Sequence, residues 1–400
     1  MTLYIVRPKA SLRGQFPALS DRKIDSEKRR KQLEEVAQFW QEEKAYREIQ
    51  DWIEDESPEA VKAIAAPSPT LTGTRFLEMP DPLADRLKRE VANIIILQDE
   101  PIELIRPTQS TETRKERLET EDIWHLQAIA RSESKKTGKD IKVAVFDTGI
   151  DASHGEIEGK VTSSYCLNFR GAVGAWNIEP MDCEDTQGHG THVAGLICGK
   201  TVGIARDAAL INMLLLPRGS GTVRNFIMAL EWLLQREDVR IANISAGVSA
   251  KFREQMSDVV NDLLAFGILP ICAIGNEGRN ITSSPGNCQG VLSVGACDRD
   301  GKVAGFSSSA KMVVDDQEYL VPSLVAPGKG VYSAVMGGGY EAWNGTSMAT
   351  PIVSGIAALI LEEDPIMSAY DLREALLDRC RSLPGQSAVR QGEGLIRVQL

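Results

Sequence analysis

From residue 141 onward the chain alternates short apolar runs with helical stretches, and this rhythm limits its fold more than any other feature. An apolar run of five or six residues without polar alternation is strand-sized and buried on both faces. Residues 142–146, 210–216, 239–244, 268–274 and 291–296 read this way, while 225–235, 257–265, 347–362 and 370–379 carry helical spacing. Strands joined by crossover helices run parallel, because each helix returns the chain to the same end of the sheet. The expectation is an α/β domain over 122–400: a parallel sheet with helices on both faces.

The 400 residues exceed what one ordinary core uses, so a second unit is expected. Residues 1–107 are rich in charge and contain no cysteine. Strands are predicted at 3–6, 74–79, 93–98 and 102–106, and a helix at 81–92. Leu33, Val36 and Trp40, and again Tyr46, Ile49 and Ile53, recur at three- and four-residue steps and predict one long helix over 25–56. Pro67 and Pro69 mark a loop. This is a small α+β unit. Residues 108–121 are polar, charged and without period, which predicts a linker that can be cut.

Composition narrows the function. A net charge of −11 with no dominant basic face argues against nucleic acid as a partner. No stretch approaches the ~20 apolar residues of a membrane helix, so no membrane partner is expected. Residues 1–8 read as a strand rather than a signal peptide. The seven cysteines are odd in number, all follow residue 165, and match no zinc spacing. They read as free thiols in a reducing compartment, so a cytoplasmic location is expected.

Four segments carry chemistry. A serine hydroxyl becomes a nucleophile when an imidazole takes its proton and a carboxylate orients that imidazole. Asp147 closes an apolar strand, His189 opens a small-residue helix in Gly188-His-Gly-Thr-His192, and Ser347 stands at a helix start in Gly345-Thr-Ser-Met-Ala. Free N–H groups and the dipole at such a start favour developing negative charge. Asn276, after the strand 268–274, offers a side-chain amide for an oxyanion. Rival readings are a peptide-binding pseudoenzyme, a nucleotide loop at 195–201 and a metal pair at His189 and His192. The loop is one residue short of the phosphate-binding pattern, and the pair lacks an acidic third ligand in register.

In order Asp, His, Asn, Ser, these segments resemble the signature boxes of the subtilisin-like serine peptidases, over roughly 120–400. The resemblance implies peptide-bond hydrolysis of protein or peptide substrates through an acyl-enzyme. Asp147 would orient His189, the acid–base group, and Ser347 would attack, with Asn276 and the Ser347 N–H holding the oxyanion. Ser245, Ala246 and Gly247 would line one side of an extended substrate and Gly219, Ser220 and Gly221 the other. Ala273, Ile274 and Gly275 would form a wall of the S1 pocket. Residues 1–107 are similar, more weakly, to the propeptide of this family, which implies a zymogen whose own N-terminal domain is folding assistant and inhibitor. The stretch after His192 lacks the loop that carries a tight calcium site in secreted relatives, although Glu156 stands where one ligand falls. No cofactor is therefore expected, and calcium is doubtful there.

Overall fold

The computed structural model describes the chain except residues 11, 13–14, 17–25, 65–69, 110–112, 171–174, 249–253, 315 and 400. Eight parallel strands form the centre of its largest sheet. In spatial order they are Leu395–Ile396, Leu324–Pro327, Leu292–Cys297, Leu269–Ala273, Ile241–Ile244, Lys142–Asp147, Ala209–Leu214 and Val161–Arg170. An antiparallel strand closes each edge, Cys380–Arg381 beside the first and Ala175–Pro180 beside the last. The fold is thus the expected α/β sheet.

Strand residues alternate between two cores. Val143 and Val145 face the helices His189–Cys198 and Thr346–Glu363, whereas Ala144 and Phe146 face Val223–Leu234 and Glu254–Ala265. Both residue sets are fully buried, which is why the run shows no polar alternation.

The N-terminal unit is a four-stranded antiparallel sheet in the order Lys62–Ile64, Arg75–Met79, Thr2–Pro8, Ile94–Gln98. One face packs Tyr4, Val6, Leu77 and Met79 on its own helices Lys44–Asp55 and Asp81–Glu90. The other face, with Ile5, Phe76 and Leu97, shares a core with the helices Val223–Leu234 and Glu254–Ala265.

Two expectations need correction. The helix over 25–56 is two helices, Ser26–Glu42 and Lys44–Asp55, broken at Glu43. Glu43 is extended, at φ −64° and ψ 130°, and its carboxylate accepts from the Tyr46 N–H at 2.8 Å, capping the second helix. Residues 108–121 are not all free chain, because Thr108–Gln109 pairs with Tyr340–Asn344 and Lys115 bridges to Tyr340. The loop expected at 67–70 lies, save Thr70, outside the described residues.

Candidate active site

Asp147 ends its strand fully buried, and His189 begins its helix fully buried. His189 Nδ1 lies 2.8 Å from Asp147 Oδ1 and 3.0 Å from Oδ2. A carboxylate only accepts, so the proton sits on Nδ1 and leaves Nε2 as a base. The Thr148 N–H also donates to Asp147 Oδ1 at 2.8 Å. This approach depends on Gly190, where a Cβ would fall 1.9 Å from the Gly149 carbonyl and 3.2 Å from Asp147 Cβ.

Asp185 and Thr148 fix the same corner. Asp185 accepts from the Gly188 N–H at 2.8 Å, the Thr191 N–H at 2.9 Å and the Thr148 hydroxyl at 2.8 Å. The Thr148 hydroxyl in turn accepts from the Gly190 N–H at 3.0 Å. Neither residue was singled out by sequence, since an aspartate three residues before a glycine has no distinctive spacing. His192 is no metal partner: it stacks on Trp343 at 4.3 Å, and its Nε2 faces the Glu341 carbonyl at 3.1 Å. Burial pushes its pKa down to about 3, so it stays neutral.

Ser347 is the second residue of its helix and is fully buried. Its hydroxyl donates to the Ile105 carbonyl at 2.7 Å. Among the described residues His189 Nε2 is buried without a hydrogen-bond partner. Asn276 Oδ1 accepts from the Thr346 N–H at 2.9 Å and from its hydroxyl at 3.0 Å. These bonds turn Nδ2 outward, where it donates to the Arg106 carbonyl at 3.0 Å. Thr346 is therefore a positioning residue that sequence reasoning passed over, although it adjoins Ser347.

The chain between the two units lies across this site. Pro101–Leu104 is the middle strand of an antiparallel sheet, with Ser220–Thr222 on one side and Ala246–Gly247 on the other. Glu103 pairs with both Ser220 and Gly247, and the Ile105 N–H donates to the Ser245 carbonyl at 3.1 Å. Gly219 stands in the turn before that strand, where a Cβ would be 3.9 Å from Leu104 Cβ. The buried Ile105 side chain lies beside Gly247, which adjoins Ser283. Gly275 also faces Ser283, and Ala273 is fully buried under Gly286. Ile274 departs from expectation: its side chain packs with Ala310 and Val321 in a separate cluster, so only its backbone remains for a wall.

Glu156 is buried and already satisfied. Its carboxylate accepts from the Thr201 N–H at 2.7 Å and the Tyr340 hydroxyl at 2.7 Å. Each of its carboxylate oxygens thus already has a protein donor.

A parallel α/β sheet, a carboxylate–imidazole pair and a helix-start serine whose hydroxyl meets a strand held on both sides are the parts a serine peptidase needs, although no hydrogen bond joins His189 to Ser347 among the described residues. Residues 138–394 match the subtilase family, and the chain belongs to that family of serine endopeptidases, which act on proteins or peptides. It is 33% identical over 287 residues to a subtilisin of Bacillus pumilus, covering 69% of this chain and 96% of the relative. Subtilisin Savinase of Lederbergia lenta is 34% identical over 283 residues, covering 69% of this chain and 96% of the relative. Alkaline elastase YaB of Bacillus sp. (strain YaB) is 34% identical over 283 residues, covering 69% of this chain and 68% of the relative.

Proposed function

We propose that Asp147, His189 and Ser347 are the catalytic triad and that residues 1–107 are a self-inhibitory domain of a zymogen. The observation that carries both is the Ile105 carbonyl on the Ser347 hydroxyl, in a strand paired on both sides. In turnover Ser347 Oγ attacks the carbonyl carbon of a bound strand while His189 Nε2 takes its proton. Asp147 stabilises the resulting imidazolium, and Asn276 Nδ2 with the Ser347 N–H holds the oxyanion. His189 then passes the proton to the leaving amine. Water repeats the sequence on the acyl-enzyme.

The intact chain sits in this machinery in a stalled register. The serine proton is committed to the Ile105 carbonyl and the Asn276 donor to the next one, Arg106. Nucleophile and oxyanion donor thus address adjacent carbonyls, so self-cleavage waits for Arg106 to release Asn276. The bond facing Ser347 is Ile105–Arg106, just before the stretch 108–121 in which the sequence suggested a cut.

A fluorophosphonate tests the assignment, since it phosphonylates only an activated serine. It should label Ser347 once residues 1–105 are displaced, and His189→Ala should abolish labelling. Labelling elsewhere would overturn the assignment. The hydrogen bonds that Glu156 already accepts from Thr201 and Tyr340 support catalysis without calcium at that place. Loss of activity in chelator with recovery in calcium would contradict it. The buried thiols of Cys198, Cys272, Cys288 and Cys297 support a reducing, cytoplasmic location. A disulfide in protein isolated from its cells would contradict that.

A further inference from the structure

A cut at Ile105–Arg106 frees residues 1–105 but leaves the chain from Arg106 onward attached to the catalytic domain, and that chain is itself docked. Thr108 and Gln109 pair antiparallel with Asn344 and Trp343, on the edge of the hairpin Lys329–Ala334 and Tyr340–Asn344. Further on, the Lys115 N–H donates to the Tyr340 carbonyl at 2.9 Å and the Tyr340 N–H to the Lys115 carbonyl at 2.8 Å. Gly339 permits the approach, since a Cβ there would fall 2.9 Å from the Lys115 carbonyl oxygen.

Side chains lock the same stretch. Lys115 Nζ lies 5.1 Å from the centre of the Tyr332 ring and 2.5 Å from Asp122 Oδ1. Arg114 donates to the Gly338 carbonyl and stands 3.7 Å from Glu341 Oε1. The Tyr332 hydroxyl donates to the Thr113 carbonyl at 3.1 Å. None of these contacts involves residues 1–105, so none is lost when that unit leaves.

We propose that the hairpin edge at Tyr340–Asn344 is a strand-adding site on the leaving-group side of the cleft, and that residues 108–109 and 113–115 are its resident ligand. This rests on the reading of residues 1–107 as the inhibitor. Substrate residues beyond the scissile bond need the same edge, where the pairing with Asn344 begins. The resident strand is covalently tethered a few residues away, at a local concentration that for short tethers is in the millimolar range. Activation therefore has two stages. The first cut opens the acyl side, and removal or displacement of the 108–115 strand opens the leaving-group side.

The test compares the cut wild type with the cut Arg114→Glu/Lys115→Glu variant on two substrates. One is a peptidyl p-nitroanilide, which ends at a small leaving group. The other is an internally quenched peptide with at least six residues beyond the bond. The expected result is a KM for the long peptide about tenfold lower in the variant, with a smaller change for the anilide. Equal KM values for the long peptide in both proteins would overturn the proposal. A chain that never cuts and never turns over the anilide would instead sink the functional reading. The strand is then judged in the Ser347→Ala chain by hydrogen exchange. The amides of Lys115 and Tyr340 should exchange slowly there and quickly after the double charge reversal. Fast exchange before the reversal, or slow exchange after it, overturns the proposal.

Discussion

The two helical faces of the central sheet are made of different material. On one, the helices bearing His189 and Ser347 are buried through small and aliphatic residues such as Ala194, Leu196, Ala357 and Ala358. On the other, Val223–Leu234 and Glu254–Ala265 carry Glu231 and Asp262, buried beneath the N-terminal unit. Glu231 accepts from the Leu71 N–H and from the Thr72 N–H, the latter at 3.1 Å. Asp262 pairs with Arg7 at 3.3 Å, both almost fully buried. The first face keeps buried ionisable groups, Asp147, His189 and His192, at the active site, whereas the second keeps Glu231, Asp262 and Arg7 at the seam with the N-terminal unit. If residues 1–107 are the inhibitory unit proposed above, the difference teaches that the second face is the one built to part.

Four changes break or sharpen that contrast. The largest effect is expected from Gly190→Ala, which pushes the histidine helix off the Gly149 carbonyl and away from Asp147. kcat should fall about 10⁴-fold, as when a triad histidine loses its carboxylate. Unchanged kinetics would mean that the contact is soft. Next, Arg7→Ala strands Asp262 without a partner, and breaking such a buried pair costs about 3–5 kcal/mol. Denaturant unfolding of the Ser347→Ala background should show this as an early transition of residues 1–107, leaving the other face folded. A single, unshifted transition would erase the distinction between the faces.

Asn276→Ala should lower kcat about 10²- to 10³-fold with little change in KM, a magnitude known from a subtilisin rather than obtained from this chain. A larger effect on KM would place the oxyanion elsewhere. The smallest effect is that of pH. Burial, opposed by Arg7 and reinforced by Asp258 and Glu231, raises the Asp262 pKa from 3.8 to about 7, and burial raises that of Glu231 as well. A raised carboxyl favours the docked state while protonated, so its contribution is complete below the ordinary carboxylate range and lost as pH rises through about 7. The Tm of the Ser347→Ala chain should therefore fall from pH 5 to pH 8, and Asp262→Asn should flatten the slope. A Tm that rises over this window would reverse the sign.

Much of this was legible in the sequence because the sheet is buried on both sides and its strands are continuous apolar runs. The motif residues were legible because glycines and small residues crowd around them, as at Gly188 to Gly190. What stayed hidden depends on partners distant in sequence. The break at Glu43 falls in the one six-residue gap of the apolar spacing, between Trp40 and Tyr46, and the capping bond to Tyr46 shows that the helix restarts there. The hairpin Val161–Arg170 and Ala175–Pro180 is mixed in polarity and gives no clean period. Lys115 reads as solvated chain because the edge that receives it lies at Tyr340. Glu231 and Asp262 owe their burial to the N-terminal unit, whose Leu71, Thr72 and Arg7 are far from them in sequence.

The central claim is that this peptidase holds its own chain in its cleft, with the Ile105–Arg106 bond facing Ser347. Intact-mass measurement of purified wild type and Ser347→Ala, incubated side by side, tests it most directly. The account predicts a wild type split into residues 1–105 and 106–400 while Ser347→Ala stays whole. Two full-length proteins, with the wild type already fully active on peptides, would contradict it.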